Sequence, residues 1–378
     1  MAAQLFEHLP KLQVMIRHSC QYAVWPAELE YHLKQQHQLP HPTVQGIIQV
    51  IQQWEHLAPI HQSIRLPRVL DQPLPIVLSM MNSMRKHWRT LLGIRFTWKD
   101  GSIQLDQETY TRQILEEFGM ADCKPASSPL SPSIKLDSDS PRLDRQDHKV
   151  FRRLIGRMMF LVTGTRPDVT FTVNQLSQYL AEPGKVHLAA AKHVFRYLKG
   201  SIDYGLVYGT KGSQKRGLIA YSDSAYANSK ENKSTTGFIF MIDDSPICWN
   251  SRKQSVTAQS STEAEYIAAS EAAKQAIWCR HFLYAIRKEA ICRRAPTIIF
   301  KDNQGAIKIA DNPVNHPKTK HIAVRYHAIR DHVNNGEIQL EYLPTDQMVA
   351  DGLTKTTNKI SQARLAKGLG LIKTGEDG

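Results

Sequence analysis

Four carboxylates raise the first chemical question: Asp223 in GLIAYSDSAYA, Glu265 in SSTEAEYIAAS, Asp302 in TIIFKDNQGAIKIADN and Asp351 in MVADGLTK. Acids delivered by four separate elements of one unit are what a magnesium site needs. That ion takes oxygen ligands, is typically held by one or two carboxylates plus substrate phosphate oxygens, and keeps several waters. Two such ions, roughly 3.5–4 Å apart, activate a water and stabilise the leaving oxygen of an in-line phosphodiester cleavage. The same residue types also have structural readings. Asp302 follows the strand-like run Thr297–Phe300, where the chain turns polar at Lys301, and it precedes a helical pattern. It therefore suits a helix N-cap as well as a metal site. Glu263, three residues after Ser260, fits a capping box, whereas Glu265 lies beside apolar Tyr266, Ile267 and Ala268, at the edge of a buried face. Spacing alone leaves both readings open.

The chain that must position these acids has 378 residues, 42% of them hydrophobic, enough for two or three domains. Its 48 basic against 35 acidic residues give a formal charge of +13, which points to a polyanionic partner, nucleic acid first. The five cysteines are scattered and odd in number, so they form no disulfide framework and a reducing compartment is expected. No apolar run reaches the roughly 18–20 residues of a membrane span, and MAAQLFEHLPKL lacks an apolar signal core. The expectation is an intracellular, soluble protein of the cytoplasm or nucleus.

Three textures divide the chain: residues 1–90, rich in His, Gln and Pro; 91–210; and 211–365. The middle part has a strand-like start, LLGIRFTWKDGSIQLDQ, then a helical piece and the Pro/Ser/Asp-rich loop CKPASSPLSPSIKLDSDSPRLD. Helical patterns follow in FRRLIGRMMFLVTG, in PDVTFTVNQLSQYL with Pro167 at N1, and in HLAAAKHVFRYLKG with Gly200 as a natural C′ residue. From residue 203 the runs YGLVYG, GLIAYSDS, TTGFIFMI and SPICWNSR read as antiparallel strands joined by hairpins. An Ala-rich helix, the strand TIIF, two more helices and the strand EIQLEYLP complete a mixed sheet with helices packed on it. Asp243 and Asp244 in FMIDDSP are read as turn residues between two strands.

YSDSAYA, KSTTGF, SSTEAEYIAASEAAKQAIW, DNQGAIKIADNP, KTKHIAVRYHAIRDHV, GEIQLEYLPT and MVADGLTK resemble, in this order, the ribonuclease H domain of copia-type LTR retrotransposon polyproteins. The resemblance implies an α/β, RNase H-like mixed five-stranded sheet with helices on both faces. It also implies hydrolysis of the RNA strand of an RNA–DNA hybrid with two Mg2+ ions. Residue by residue, Asp223 matches the acid of the first strand, Glu265 the helix acid, Asp302 the acid ending the fourth strand and Asp351 the late acid. The family's roles place Glu265 and Asp302 near the ion of the attacking water, Asp223 between the ions and Asp351 at the second site. The stretch YLPTDQMVAD departs from many cellular RNase H enzymes by carrying no His before the last Asp. His321, Arg325 and His327 share one helix and read either as substrate contacts or as a solvated basic face.

Residues 91–210 resemble the polymerase thumb or connection of the same polyproteins, a mostly helical region able to hold a hybrid by phosphate contacts. Nothing before Leu91 supplies the acids of a polymerase palm, so reverse transcription is not expected. The first ninety residues resemble a finger-like N-terminal segment of fungal proteins. Cys20, His32 and His37 remain of its zinc ligands, with Arg17 where a second Cys belongs. That leaves weak Zn2+ binding by three ligands and a water, or a finger held by its apolar residues alone. For the whole chain the reading is a retrotransposon-derived, metal-dependent ribonuclease H; the alternatives are a catalytically silent nucleic-acid-binding remnant and a non-functional fragment.

Overall fold

The computed structural model describes residues 90–99, 101–131, 133–136, 140–209, 217–287, 295–311 and 323–373, with three short strands before residue 25. These strands, β1 (Phe6–Leu9), β2 (Val14–Arg17) and β3 (Ala23–Val24), pair antiparallel in that order. Cys20, His32 and His37 lie outside the described residues. One compact unit comprises residues 1–71 and 83–97, the other residues 72–82 and 98–378. In the first, β4 (Thr90–Leu91) pairs with the opening residues of β5 (Ile94–Lys99) in a hairpin. Both residues of its turn, Leu92 and Gly93, have positive φ (49° and 71°), the backbone that matches the twist of paired strands.

In the second unit, β6 (Ser102–Asp106) leads into α1 (Glu108–Glu117), α2 (Arg145–Gly164), α3 (Thr170–Ser177), α4 (Lys185–Gly200) and β7 (Tyr204–Tyr208). Helix α2 is capped by the Asp144 carboxylate, which accepts the Asp147 N–H at 2.8 Å. Its apolar stripe of Phe151, Leu154, Ile155, Met158 and Leu161 recurs every three or four residues and is buried. The stripe meets Val173 and Leu176 of α3 and Val194, Phe195 and Leu198 of α4 in one core. Pro167 opens a 3-10 turn (Pro167–Val169) ahead of α3 rather than the helix itself. Gly200 also departs from expectation: it is the last helical residue and not a left-handed C′ residue. Its absent side chain admits a close neighbour, because a Cβ there would stand 3.1 Å from the Pro125 Cβ.

A five-stranded mixed sheet is built from β8 (Leu218–Ala225), β9 (Thr235–Ile242), β10 (Ser245–Lys253), β11 (Thr297–Lys301) and β12 (Ile338–Tyr342). Their order is β10-β9-β8-β11-β12. β8, β9 and β10 run antiparallel, and β11 is parallel to both β8 and β12. Asp243 and Asp244 form the β9–β10 turn with φ of 50° and 62°, as their turn chemistry requires. The strand YGLVYG (β7) does not join this series. It pairs instead with β6 and with the C-terminal β13 (Leu371–Lys373).

Helix α5 (Ser261–Arg287) packs along one face of the sheet. Its buried Ala264, Ala268, Ala269, Ala272, Ala273 and Ala276 let the backbone approach β8 and β9 closely and favour the helix at the same time. Helices α6 (Gln304–Asp311) and α7 (Ala323–Asn334) pack beside it. On the opposite face lies a 3-10 turn, Val349–Leu353, against Gly237. On that face too, the Trp249 indole N–H donates to the Val162 carbonyl of α2 at 2.9 Å. Helix α8 (Lys359–Gly368) then carries the chain to β13.

Candidate active site

Parallel pairing of β8 with β11 decides where the first two acids meet. Phe300 stands opposite Tyr221, so two residues further along each chain Asp302 follows β11 beside Asp223. Glu265 comes from the second turn of α5 and reaches the same strand end, its Oε1 accepting the Ser224 N–H and hydroxyl, both at 3.0 Å. One carboxylate oxygen from each of Asp223, Glu265 and Asp302 lies within 4.8 Å of the other two. Asp223 and Glu265 are buried and Asp302 is half-buried.

Asp351 is not one of this trio. It sits on the 3-10 turn beneath β9, its carboxylate ion-paired with Lys355 one helical turn on. The turn nevertheless serves the trio, since the Thr354 hydroxyl donates to Asp223 Oδ2 at 2.5 Å. Thr345 does the same for Asp302 Oδ2 at 2.8 Å. Gly237 is required here: a Cβ would fall 2.7 Å from Thr354 Cγ2 and 2.9 Å from Leu353 Cβ.

The two helix caps sort as their residue types suggest. Asn303 Oδ1 accepts the Ala306 N–H at 2.9 Å, leaving Asp302 out of the capping role. Ser260 Oγ accepts the Glu263 N–H at 3.2 Å, while the Glu263 carboxylate reaches back to the Gln259 N–H at 2.8 Å, one residue earlier than a standard capping box.

Lys301 is the residue that sequence reasoning misplaced. Taken as the first residue of the polar stretch after the strand, it is the last residue of β11 and fully buried, with 0% exposure. Its ammonium pairs with Glu265 Oε2 at 2.6 Å and donates to the Ser222 carbonyl at 3.2 Å. The signal was in the strand period: Thr297, Ile299 and Lys301 alternate along one face. Side chains at 325 and 327 of α7, and residue 321, lie outside the described residues.

The electrostatics follow from this packing. Burial pushes the Asp223 carboxyl up to about 7, and the Glu265 charge adds to it, against the Thr354 hydrogen bond and the Lys301 charge. Burial alone would lower the Lys355 pKa, but Asp351 outweighs it, with Asp223 and Asp302 contributing, and the ammonium is raised. The donor set of the trio is all oxygen and carries excess negative charge at one strand end, which suits a hard divalent cation.

A five-stranded mixed sheet in this order, with helices on both faces and acids at the shared end of its parallel strands, defines an RNase H-like α/β fold. Comparison with known proteins gives the lineage. The chain is 34% identical over 299 residues to the retrovirus-related Pol polyprotein from transposon RE2 of Arabidopsis thaliana, covering 78% of this chain and 20% of that one. It is 36% identical over 273 residues to the corresponding polyprotein from transposon TNT 1-94 of Nicotiana tabacum, covering 70% and 20%. The homologues over most of the chain are copia-type retrotransposon Pol polyproteins, and the chain spans about 20% of the length of these relatives. Residues 4–82 match a different family, described as orsellinic acid/F9775 biosynthesis cluster protein D. Among solved structures, an RNase H1 isolated from compost by a metagenomic approach matches 39% of this chain and 98% of its own, at 16% identity and a TM-score of 0.28.

Proposed function

We propose that the region from β8 to the 3-10 turn is a magnesium-dependent ribonuclease H that cuts the RNA strand of an RNA–DNA hybrid. The observation that carries this is the convergence of Asp223, Glu265 and Asp302 from three elements, with carboxylate oxygens within 4.8 Å of one another. Asp223 and Asp302 are the ligands best placed to hold a divalent ion, with Glu265 and Asp351 completing the acidic surroundings. Thr354 and Thr345 fix the rotamers of the first two by hydrogen bonds, so the ligand oxygens are oriented in advance. Bound there, magnesium supplies an activated water and neutralises charge on the phosphodiester. Homology supports the same reading, since the matched chains are Pol polyproteins. Residues 91–210 then serve as a thumb or connection remnant, and the basic excess of the chain favours a polyanionic substrate.

A second reading, a silent nucleic-acid-binding remnant, is favoured by one observation: lysine ammonium groups already sit on Glu265 and Asp351. Cleavage of a labelled hybrid in magnesium, by the wild type and by Asp302→Asn, separates the two. A ribonuclease H cuts RNA only in the hybrid, and the variant loses at least about 100-fold in rate, the scale of a lost metal-site group. Hybrid binding by the folded wild type with no cutting would establish the remnant.

A further inference from the structure

Glu265 is held differently at its two oxygens, Oε1 by hydrogen bonds and Oε2 by an ion pair without a hydrogen bond. Oε1 accepts the Ser224 N–H and hydroxyl at 3.0 Å each, and Oε2 holds the Lys301 ammonium at 2.6 Å. A carboxylate committed on both sides is a poor metal ligand, because coordination would strip a fully buried ammonium of its counter-charge. Leaving one member of a buried ion pair unmatched is strongly destabilising. Charge count agrees: Asp223, Glu265, Asp302 and Asp351 face the ammonium groups of Lys301 and Lys355, which leaves two formal negative charges, enough to balance one divalent ion. Lys301 is also fixed in place. It lies on a strand, is 0% exposed, and donates to the Ser222 carbonyl of the neighbouring strand at 3.2 Å.

Resting on the metal-site reading above, we propose that Lys301 keeps Glu265 out of metal coordination and confines the site to a single divalent ion held by Asp223 and Asp302. Lys301 is then a positioning residue: a built-in cation that sets metal stoichiometry and affinity without touching substrate. Removing it releases Glu265 as an added ligand.

The test is Mn2+ titration of the full chain, followed by loss of the free-ion EPR signal, for the wild type, Lys301→Met and the double variant Lys301→Met/Glu265→Gln. Wild type is expected to bind one ion. Lys301→Met is expected to bind a second ion or to tighten the first by about tenfold, as removal of a nearby fixed positive charge implies. The double variant restores the wild-type charge and should bind one ion with wild-type affinity. Because it replaces both members of the pair with neutral side chains, it remains informative if Lys301→Met alone fails to fold. Two ions in the wild type, an unchanged Lys301→Met, or a double variant that loses the ion would each overturn the assignment while leaving the metal site standing. No Mn2+ uptake by folded wild type at millimolar concentration would overturn the metal reading itself, and this assignment with it.

Discussion

Two buried charge clusters stand in the same unit and are built on opposite principles. At the junction of α2, the Pro167 turn and α4, Arg166 is fully buried and grips Asp168 with two hydrogen bonds of 2.9 and 2.8 Å. Its remaining donors reach the Ser201 carbonyl and hydroxyl at 3.0 and 2.6 Å. The Tyr197 hydroxyl donates to Asp168 at 2.7 Å, and Gln362 of α8 donates to that hydroxyl's oxygen at 3.0 Å. Burial acts to lower the Arg166 pKa, but Asp168 outweighs it and the guanidinium is raised. Every charge there meets its complement, so the cluster is closed and ties the Pro167 turn and α4 to α8. At the end of β8 and β11 the balance is left uneven: three acids converge, one buried lysine pairs with Glu265 alone, and Asp223 is pushed up to about 7. A closed cluster stabilises the fold; an open one leaves negative charge unmatched, the condition that a bound cation would relieve.

The largest expected effect tests the closed cluster. Arg166→Met leaves Asp168 buried without its counter-ion and should cost roughly 3–5 kcal/mol, read as a lowered urea midpoint. Asp223→Asn in chelator should cost nothing comparable and is expected to raise the midpoint at pH 8. A loss as large as that of Arg166→Met would erase the distinction between the clusters.

The second prediction concerns pH. Unfolded, the Asp223 carboxyl loses its proton near 3.8; folded, it holds it until about 7. Between those values the folded state binds more protons, so its stability is fully present below about 4 and falls as pH rises through about 7. In chelator the wild type should lose on the order of 3 kcal/mol relative to Asp223→Asn between pH 4 and pH 8. Parallel pH–stability curves for the two proteins would show that the cluster is closed after all.

Smaller again is Gly237→Ala, which alters packing and no charge. Its Cβ would press on Thr354 and Leu353, at a cost of about 1–3 kcal/mol. By displacing the turn that donates to Asp223, it should also weaken Mn2+ binding. Unchanged metal affinity in a destabilised variant would separate the turn's packing from its service to the site.

Much of this was legible in the residues. The apolar stripe of α2, the Ala-rich α5 and the Asp243–Asp244 turn follow from local chemistry and period, whereas spacing left Asp302 open between cap and ligand until Asn303 was seen to cap. The partner of YGLVYG was not legible, because β13, which pairs with it, lies more than 160 residues away in sequence. Gly200 shows the same limit. A glycine ending a helix suggests a left-handed cap, yet what the position needs is room for Pro125.

Sequence by itself determined the element types and the presence of four acids in a copia-type frame, since both depend on residue identity and short-range pattern. Tertiary structure alone decided which acids meet. The parallel register of β8 and β11 put Asp302 beside Asp223, whereas Asp351 was left on a turn with Lys355 as its partner. It also decided that Lys301 points inward, onto Glu265. Charge identity is written in the chain, but whether a charge is solvated, matched or left open is set by the distances and burial that folding imposes.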